Sequence, residues 1–264
     1  YEIRPRDWSS DVCSSDLAFR DTAAAAFSSL TDTECVSIAI DGAVVVAVNP
    51  HVALRPASNV KLFIAAVALD VLGANHTFHT DVRGDVRGGT VGGDLYLVGG
   101  GDPVLSSSWW HGSNPAYAPF NTTSIDELAQ RVKAAGVTTV DGDVVGDSSR
   151  YDDEWYPPSW PKSIRFTEGG PVSALLVNDA REAPNKASAD PSVGAATVFI
   201  SALRAAGIEV RGRARSGTAP AGTASIAGID SHPLSDVVAE MLTTSDNTTA
   251  ELMLKEIDRK STRL

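Results

Sequence analysis

Ser58 and Lys61 stand three residues apart in Pro56-Ala57-Ser58-Asn59-Val60-Lys61, at the head of the apolar run Leu62-Phe63-Ile64-Ala65-Ala66-Val67-Ala68-Leu69. A serine hydroxyl is a poor nucleophile until a base is held within hydrogen-bond reach. Residues three apart on a helix share a face, so a lysine amine could serve as that base. Pro56 favours an extended entry, which puts Ser58 in or beside the first helical turn, and Asp70 and Gly73 mark the end of the helix. A run that is apolar all round predicts a buried helix. Burial and the positive end of the helix dipole both disfavour a protonated Lys61 and push it towards base strength. A plainer reading remains open, in which Ser58 caps the helix and Lys61 reaches to solvent. The other Ser-x-x-Lys, Ser159-Trp160-Pro161-Lys162, lies among prolines that break a shared helical face and is read as coincidence.

A second pattern sits near the end of the chain, in Thr244-Ser245-Asp246-Asn247-Thr248-Thr249-Ala250-Glu251, which holds the sole Ser-x-Asn of the sequence. It falls between helix-like segments from Pro233 to about Leu242 and from about Thr249 to Ile257, and Thr248-x-x-Glu251 reads as a capping box for the second. On a tight turn the Ser245 hydroxyl can pass a proton while the Asn247 amide holds a substrate carbonyl. Ser, Asp and Asn suit a capping loop without chemistry equally well.

The two patterns in this order resemble the penicillin-recognising serine acyl-enzymes, in which Ser-x-x-Lys, Ser-x-Asn and Lys-Thr-Gly line one cleft. Four stretches narrow the resemblance: Arg55-Pro-Ala-Ser-Asn-Val-Lys-Leu62, Asp94-Leu-Tyr-Leu-Val-Gly-Gly-Gly-Asp-Pro103, Gly170-Pro-Val-Ser-Ala-Leu175 and Leu234-Ser-Asp-Val-Val-Ala-Glu-Met-Leu-Thr-Thr-Ser-Asp-Asn247. They are similar to D-alanyl-D-alanine carboxypeptidases and endopeptidases of the class C low-molecular-mass penicillin-binding type, over residues 18 to 257. The resemblance implies an acylated Ser58, Lys61 as its base, Ser245 as a proton shuttle and Asn247 as a substrate-amide contact. It also implies a peptidoglycan stem peptide ending in D-Ala-D-Ala as substrate, covalent binding of beta-lactam antibiotics, no cofactor, and an extracytoplasmic location. Two alternatives stand beside it: a serine beta-lactamase, against which the long stretch between the two motifs argues, and a noncatalytic remnant or wall-binding module.

The sequence departs from the family's pattern in holding no Lys-Thr-Gly or Lys-Ser-Gly. The expectation is therefore a truncated and inactive piece, with an uncovered Ser58 helix, an exposed edge on the hairpin at 36 to 48, and poor solubility. Residues 1–17 and 258–264 differ in texture from the rest and read as a non-native leader and tail.

The fold expected is α/β (α+β), a beta-lactamase/transpeptidase-like catalytic domain that is incomplete and carries a large inserted α/β region. Its first part spans residues 18–80, the insertion 81–230 and the second part 231–257. A helix over about 20 to 30 precedes a hairpin of Val36 to Ile40 and Ala43 to Val48 across Asp41-Gly42. Inside the insertion two units look alike. Ser124-Ile-Asp-Glu127 opens a helix ending at Gly136 before the strand-like Val137 to Val145, and Asp190-Pro191 opens one ending at Gly207 before Ile208 to Ala214.

Composition is that of an ordinary globular chain, with 264 residues, 43% hydrophobic and 21% charged. A net charge of -11 excludes nucleic acid as a primary partner. No apolar run is long enough for a transmembrane segment. Cys13 and Cys35 form no credible disulfide or metal set, and His76 with His79 lacks a third ligand. The glycines at 99–101 miss the nucleotide spacing and read as a turn. Trp109, Trp110, Trp155, Tyr156 and Trp160 read as packing of the insertion rather than a sugar platform, and Asp152-Asp153-Glu154 as a solvated turn.

Overall fold

The computed structural model describes residues 14–112 and 118–261, and most of the expected leader therefore lies outside the described residues. The chain divides between Ala57 and Ser58 into two compact units. The first holds helix α1, Ser14–Ala26, and the hairpin Val36–Ile40 with Ala43–Val48. Asp41 and Gly42 both take positive φ, 49° and 80°, as the two-residue turn demands. Ala23 and Val46 are the buried residues among those described in this unit.

The second unit contains two structural themes, a helical cluster and a layered α/β body. Helix α2, Val60–Leu72, is preceded by one 3-10 turn over Ala57–Asn59 and ends at Gly73, whose φ of 93° suits a residue without a Cβ. Helices α5, Leu234–Thr244, and α6, Asn247–Ser261, pack with it around Ala65, Ala68, Phe78, Leu234, Met241, Ala250 and Met253. The apolar run predicts a helix buried all round and the missing Lys-Thr-Gly an uncovered one, and α2 is buried along one side only. Only Lys61, Ala65 and Ala68 are buried, while Leu62, Phe63 and Val67 are exposed, Phe63 by 71%. Composition tells how apolar a face is, and the number of neighbours decides whether it is covered.

The α/β body is a mixed five-stranded sheet in the order Ala214–Ser216, Val144–Asp147, Leu95–Val98, His79–Arg83, Ser225–Asp230. The first three strands run parallel and the last two antiparallel to their neighbours. Helices α3, Ile125–Ala134, and α4, Pro191–Ala205, pack against it and each other, filling the core with Leu128, Val132, Phe199 and Leu203. Both start as expected. The Ser124 hydroxyl accepts the Glu127 amide at 3.1 Å, and Asp190 Oδ1 accepts the Ser192 and Val193 amides at 2.8 and 3.1 Å.

The repetition seen in the sequence becomes adjacency in space, and it has three rungs rather than two. Val91, Val140 and Val210 pair in register in a small second sheet, while Leu95, Val144 and Ala214 pair in the large one. Between each pair of strands lies a glycine, at 93, 142 and 212. A Cβ on Gly142 would meet the Gly93 carbonyl oxygen at 2.4 Å, and one on Gly212 would meet the Gly142 oxygen at 2.1 Å. Asp94 Oδ1 accepts the Asp143 amide and Asp143 Oδ1 the Arg213 amide, so each rung's carboxylate ties down the next. A strand, Val86–Arg87, and not a helix precedes Val91, so the first rung carries no helix-to-strand signal in the sequence.

Candidate active site

Ser58 ends up on the 3-10 turn and Lys61 on the first turn of α2, on one face as their spacing requires. Lys61 Nζ lies 3.2 Å from Ser58 Oγ. The Ser245-Asp246-Asn247 turn joins α5 to α6 and meets the same amine: Nζ donates to Asn247 Oδ1 at 2.6 Å and reaches Ser245 Oγ at 3.5 Å. Ser245 Oγ in turn donates to Ser58 Oγ at 3.0 Å. All four residues singled out from the sequence are therefore joined in one hydrogen-bonded network.

Backbone conformation places the turn. Ser245 closes α5 in the left-handed region, φ 58° and ψ 39°, a costly conformation for a residue with a side chain. Asp246 opens α6: its Oδ1 accepts the Thr248 amide at 2.8 Å and its Oδ2 the Thr249 hydroxyl at 2.5 Å. This corrects the capping box at Thr248-x-x-Glu251. The helix starts earlier, at Asn247, and the Thr248 hydroxyl instead accepts the Gly170 amide at 2.7 Å. Asn247 Nδ2 donates to the Glu168 carbonyl at 2.8 Å, which fixes Oδ1 towards Lys61. A main-chain carbonyl such as that of Glu168 carries no sequence signature, so this contact was invisible beforehand.

Ser58 is exposed and Lys61 is 4% exposed, a reachable hydroxyl beside a buried amine. Burial holds the Lys61 amine below the ordinary lysine value, while Asp246 and Glu251 pull it back up. Glu251, half-buried one turn beyond Asn247, is itself raised by burial, with Lys255 and Lys61 opposing. The arrangement can move a proton from an exposed hydroxyl to a desolvated amine, with a second hydroxyl to relay it.

Other candidates disperse. Ser159 and Lys162 are both exposed, and only Lys162 enters a short 3-10 turn. His79 pairs with Asp230 at 2.7 Å, whereas His76 stacks edge-on to Phe78; among the described residues no cluster could hold a metal ion. The glycines at 99–101 form a tight passage, in which a Cβ on Gly100 would lie 1.9 Å from the His79 carbonyl oxygen. Trp109 and Trp110 contact each other edge-to-face at 6.2 Å, Trp109 also packing on the core, and Trp160 covers Gly169. Asp152, Asp153 and Glu154 are exposed, Asp152 bonding to Lys255 at 2.7 Å. Among the described residues no helix is long and apolar enough to cross a membrane.

Comparison with known proteins gives a consistent picture. The sequence matches the D-Ala-D-Ala carboxypeptidase 3 (S13) family over residues 24–187 and 180–263. It is 40% identical over 131 residues to a D-alanyl-D-alanine carboxypeptidase of Actinomadura sp. (strain R39), covering 47% of this chain and 21% of that protein. It is 30% identical over 218 residues to a carboxypeptidase of Mycobacterium tuberculosis, covering 78% of this chain and 43% of the relative. The chain thus spans less than half the length of these curated relatives. Among solved structures, penicillin-binding protein 4 of Haemophilus influenzae shares the fold with a TM-score of 0.67 at 17% identity, over 96% of this chain and 67% of that one. The same protein complexed with a beta-lactam superposes with a TM-score of 0.50 at 18% identity, over 79% and 56%.

Proposed function

Because this chain belongs to the D-Ala-D-Ala carboxypeptidase 3 (S13) family, we propose that Ser58 is the acyl acceptor of a serine D,D-peptidase site acting on peptidoglycan stem peptides that end in D-Ala-D-Ala. The observation that carries the reading is the contact of one buried amine, Lys61, with Ser58, Ser245 and Asn247. In its neutral form Lys61 takes the Ser58 proton as Oγ bonds to the carbonyl carbon between the two D-alanines. The carbon–nitrogen bond then breaks, Ser245 relays the proton to the departing amine, and D-alanine leaves. Water attacks the ester and returns the proton to Ser58. Asn247, anchored by the Glu168 carbonyl, holds the substrate amide. Penicillins enter the same chemistry by opening their lactam ring on Ser58. Such a substrate is met outside the cytoplasm, which is the location proposed for the protein.

The test is mass spectrometry of the chain after exposure to a penicillin, beside its Ser58→Ala variant. An adduct on Ser58 that is absent from the variant is expected and would set aside the inactivity expected from the sequence; an adduct elsewhere, or none in either, refutes the assignment. Hydrolysis of a D-Ala-D-Ala peptide is expected to stay below detection, since this sequence holds no Lys-Thr-Gly to grip the substrate carboxylate. Rapid release of D-alanine would overturn that part.

A further inference from the structure

A cavity of about 590 Å³ opens at the carboxyl ends of the parallel strands Val144–Asp147 and Ala214–Ser216, where α4 begins the crossover between them. Such crevices are where open α/β sheets take small ligands, and the volume falls within the roughly 300–1,000 Å³ of ligand sites. Gly146 lets the first turn of α4 come this close, since a Cβ there would lie 2.3 Å from the Ser192 carbonyl oxygen. The wall is rich in hydroxyls. Those of Ser148, Ser149, Ser216 and Thr218 have no hydrogen-bond partner among the described residues. Ser192, on the first turn of α4, is 2% exposed, and its hydroxyl has no such partner either. Asp190 caps α4 through Oδ1 and leaves Oδ2 without a partner, while Asp153 is exposed with an unpaired carboxylate. Tyr151 and Trp155 add aromatic surface, the Tyr151 hydroxyl being taken by Glu256 at 2.8 Å.

This wall selects by charge. Among the described lining residues none is Lys, Arg or His, and Asp190 already occupies the N-terminus of α4, so an anion would meet carboxylates and engaged amides. A cation would answer the two carboxylates and leave the hydroxyls idle, and no group of three or more His, Cys, Asp or Glu among the described residues is placed to hold a metal ion. A neutral polyol answers both, because each of its hydroxyls can donate to a carboxylate and accept from a serine or threonine. Trp155, read from the sequence as packing, is here also a wall against which the C–H face of a sugar ring can lie. We propose that this cavity binds a neutral pyranose, its hydroxyls bonded by Ser192, Asp190 and Asp153 and its C–H face set against Trp155. Two sources share that chemistry, a free sugar and the glycan that carries the stem peptides; the second rests on the reading of Ser58 given above.

The experiment reads binding rather than acylation, so its failure and that of the Ser58 assignment are distinguishable. Methyl β-glucoside and methyl N-acetyl-β-glucosaminide are titrated into the full chain and followed by saturation-transfer NMR, beside methyl β-glucuronide and cyclohexanol. Saturable binding of at least one neutral glycoside is expected, with the anionic glucuronide and the singly hydroxylated ring each weaker by about tenfold or more. Ser192→Ala should weaken the glycoside about fivefold, as one lost hydrogen bond would. Ser216→Trp, at an exposed position where folding is unthreatened, should abolish binding by filling the space. No saturable binding of either neutral glycoside, equal binding of the glucuronide or of cyclohexanol, or unchanged affinity in either variant overturns the proposal. To identify the source, tetra-N-acetylchitotetraose is compared with the single-ring glycoside. Binding about tenfold tighter for the oligosaccharide assigns the cavity to a glycan, and equal binding assigns it to a free sugar.

Discussion

Replacing Asp102 with Asn should remove a pH-dependent slope from the stability of the second unit. Asp102 follows the glycine passage, is 2% exposed, and accepts the Val104 amide at 3.0 Å through Oδ1, while Oδ2 has no partner. Burial raises its carboxyl from 3.8 to about 6, with Thr123, the Val104 amide and His232 opposing. The folded state therefore holds the proton more tightly than the unfolded chain, so this group costs stability as the pH climbs from 3.8 through about 6. At about 1.4 kcal/mol per pH unit, that interval corresponds to roughly 3 kcal/mol at full ionisation. Urea unfolding followed by tryptophan fluorescence reads it, since Trp109, Trp110, Trp155 and Trp160 all lie in this unit. The exchange itself leaves a buried amide and adds an offset that does not vary with pH. On top of it, the stability of Asp102→Asn relative to the unaltered chain should rise by about 2 to 3 kcal/mol between pH 4 and pH 7, most of it below pH 6. A difference that stays flat over that range, or falls, refutes the reasoning.

Two further outcomes follow from named contacts. Lys61→Met keeps a long unbranched side chain in the buried position but removes the proposed base, so adduct formation on Ser58 should slow by about 10² to 10⁴-fold. In the unaltered chain, the rate should rise with pH and level off below the ordinary lysine value, because burial depresses the amine; a plateau only above that value contradicts the assignment. Gly100→Ala places a methyl group 1.9 Å from the His79 carbonyl oxygen and 2.6 Å from its carbon, both rigid backbone. Thermal unfolding should show a loss above about 3 kcal/mol or no folded protein, and an unchanged midpoint would remove the close-approach argument.

Much of this was legible because the signals are local. Asp41-Gly42 announces a hairpin through the positive φ both residues must adopt, and Ser124 and Asp190 announce helices through hydroxyl or carboxylate caps. Ser58 and Lys61 share a face because a helix repeats every 3.6 residues. What stayed hidden is non-local. The Asn247 anchor is a carbonyl 79 residues away. Glu240 reads as an ordinary helix surface residue until α5 is packed, and its burial next to Asp246 appears only in three dimensions.

The start of α6 shows how a small local change alters the chemistry available. Had Thr248 capped the helix, Asn247 would stand outside it, with its side chain free to turn. With Asp246 as the cap, Asn247 is the first helical residue, and its amide is gripped at both ends, by Glu168 through Nδ2 and by Lys61 through Oδ1. Small residues at the meeting of α2 and α6, Ala65 and Ala68 on one side and Ala250 on the other, are buried in the same cluster. Such residues let two helix backbones approach closely, and here that approach brings the Lys61 amine within 2.6 Å of Asn247. The same packing supplies the desolvation that depresses the amine. Position and basicity of Lys61 thus share one cause, the packing of α2 on α6.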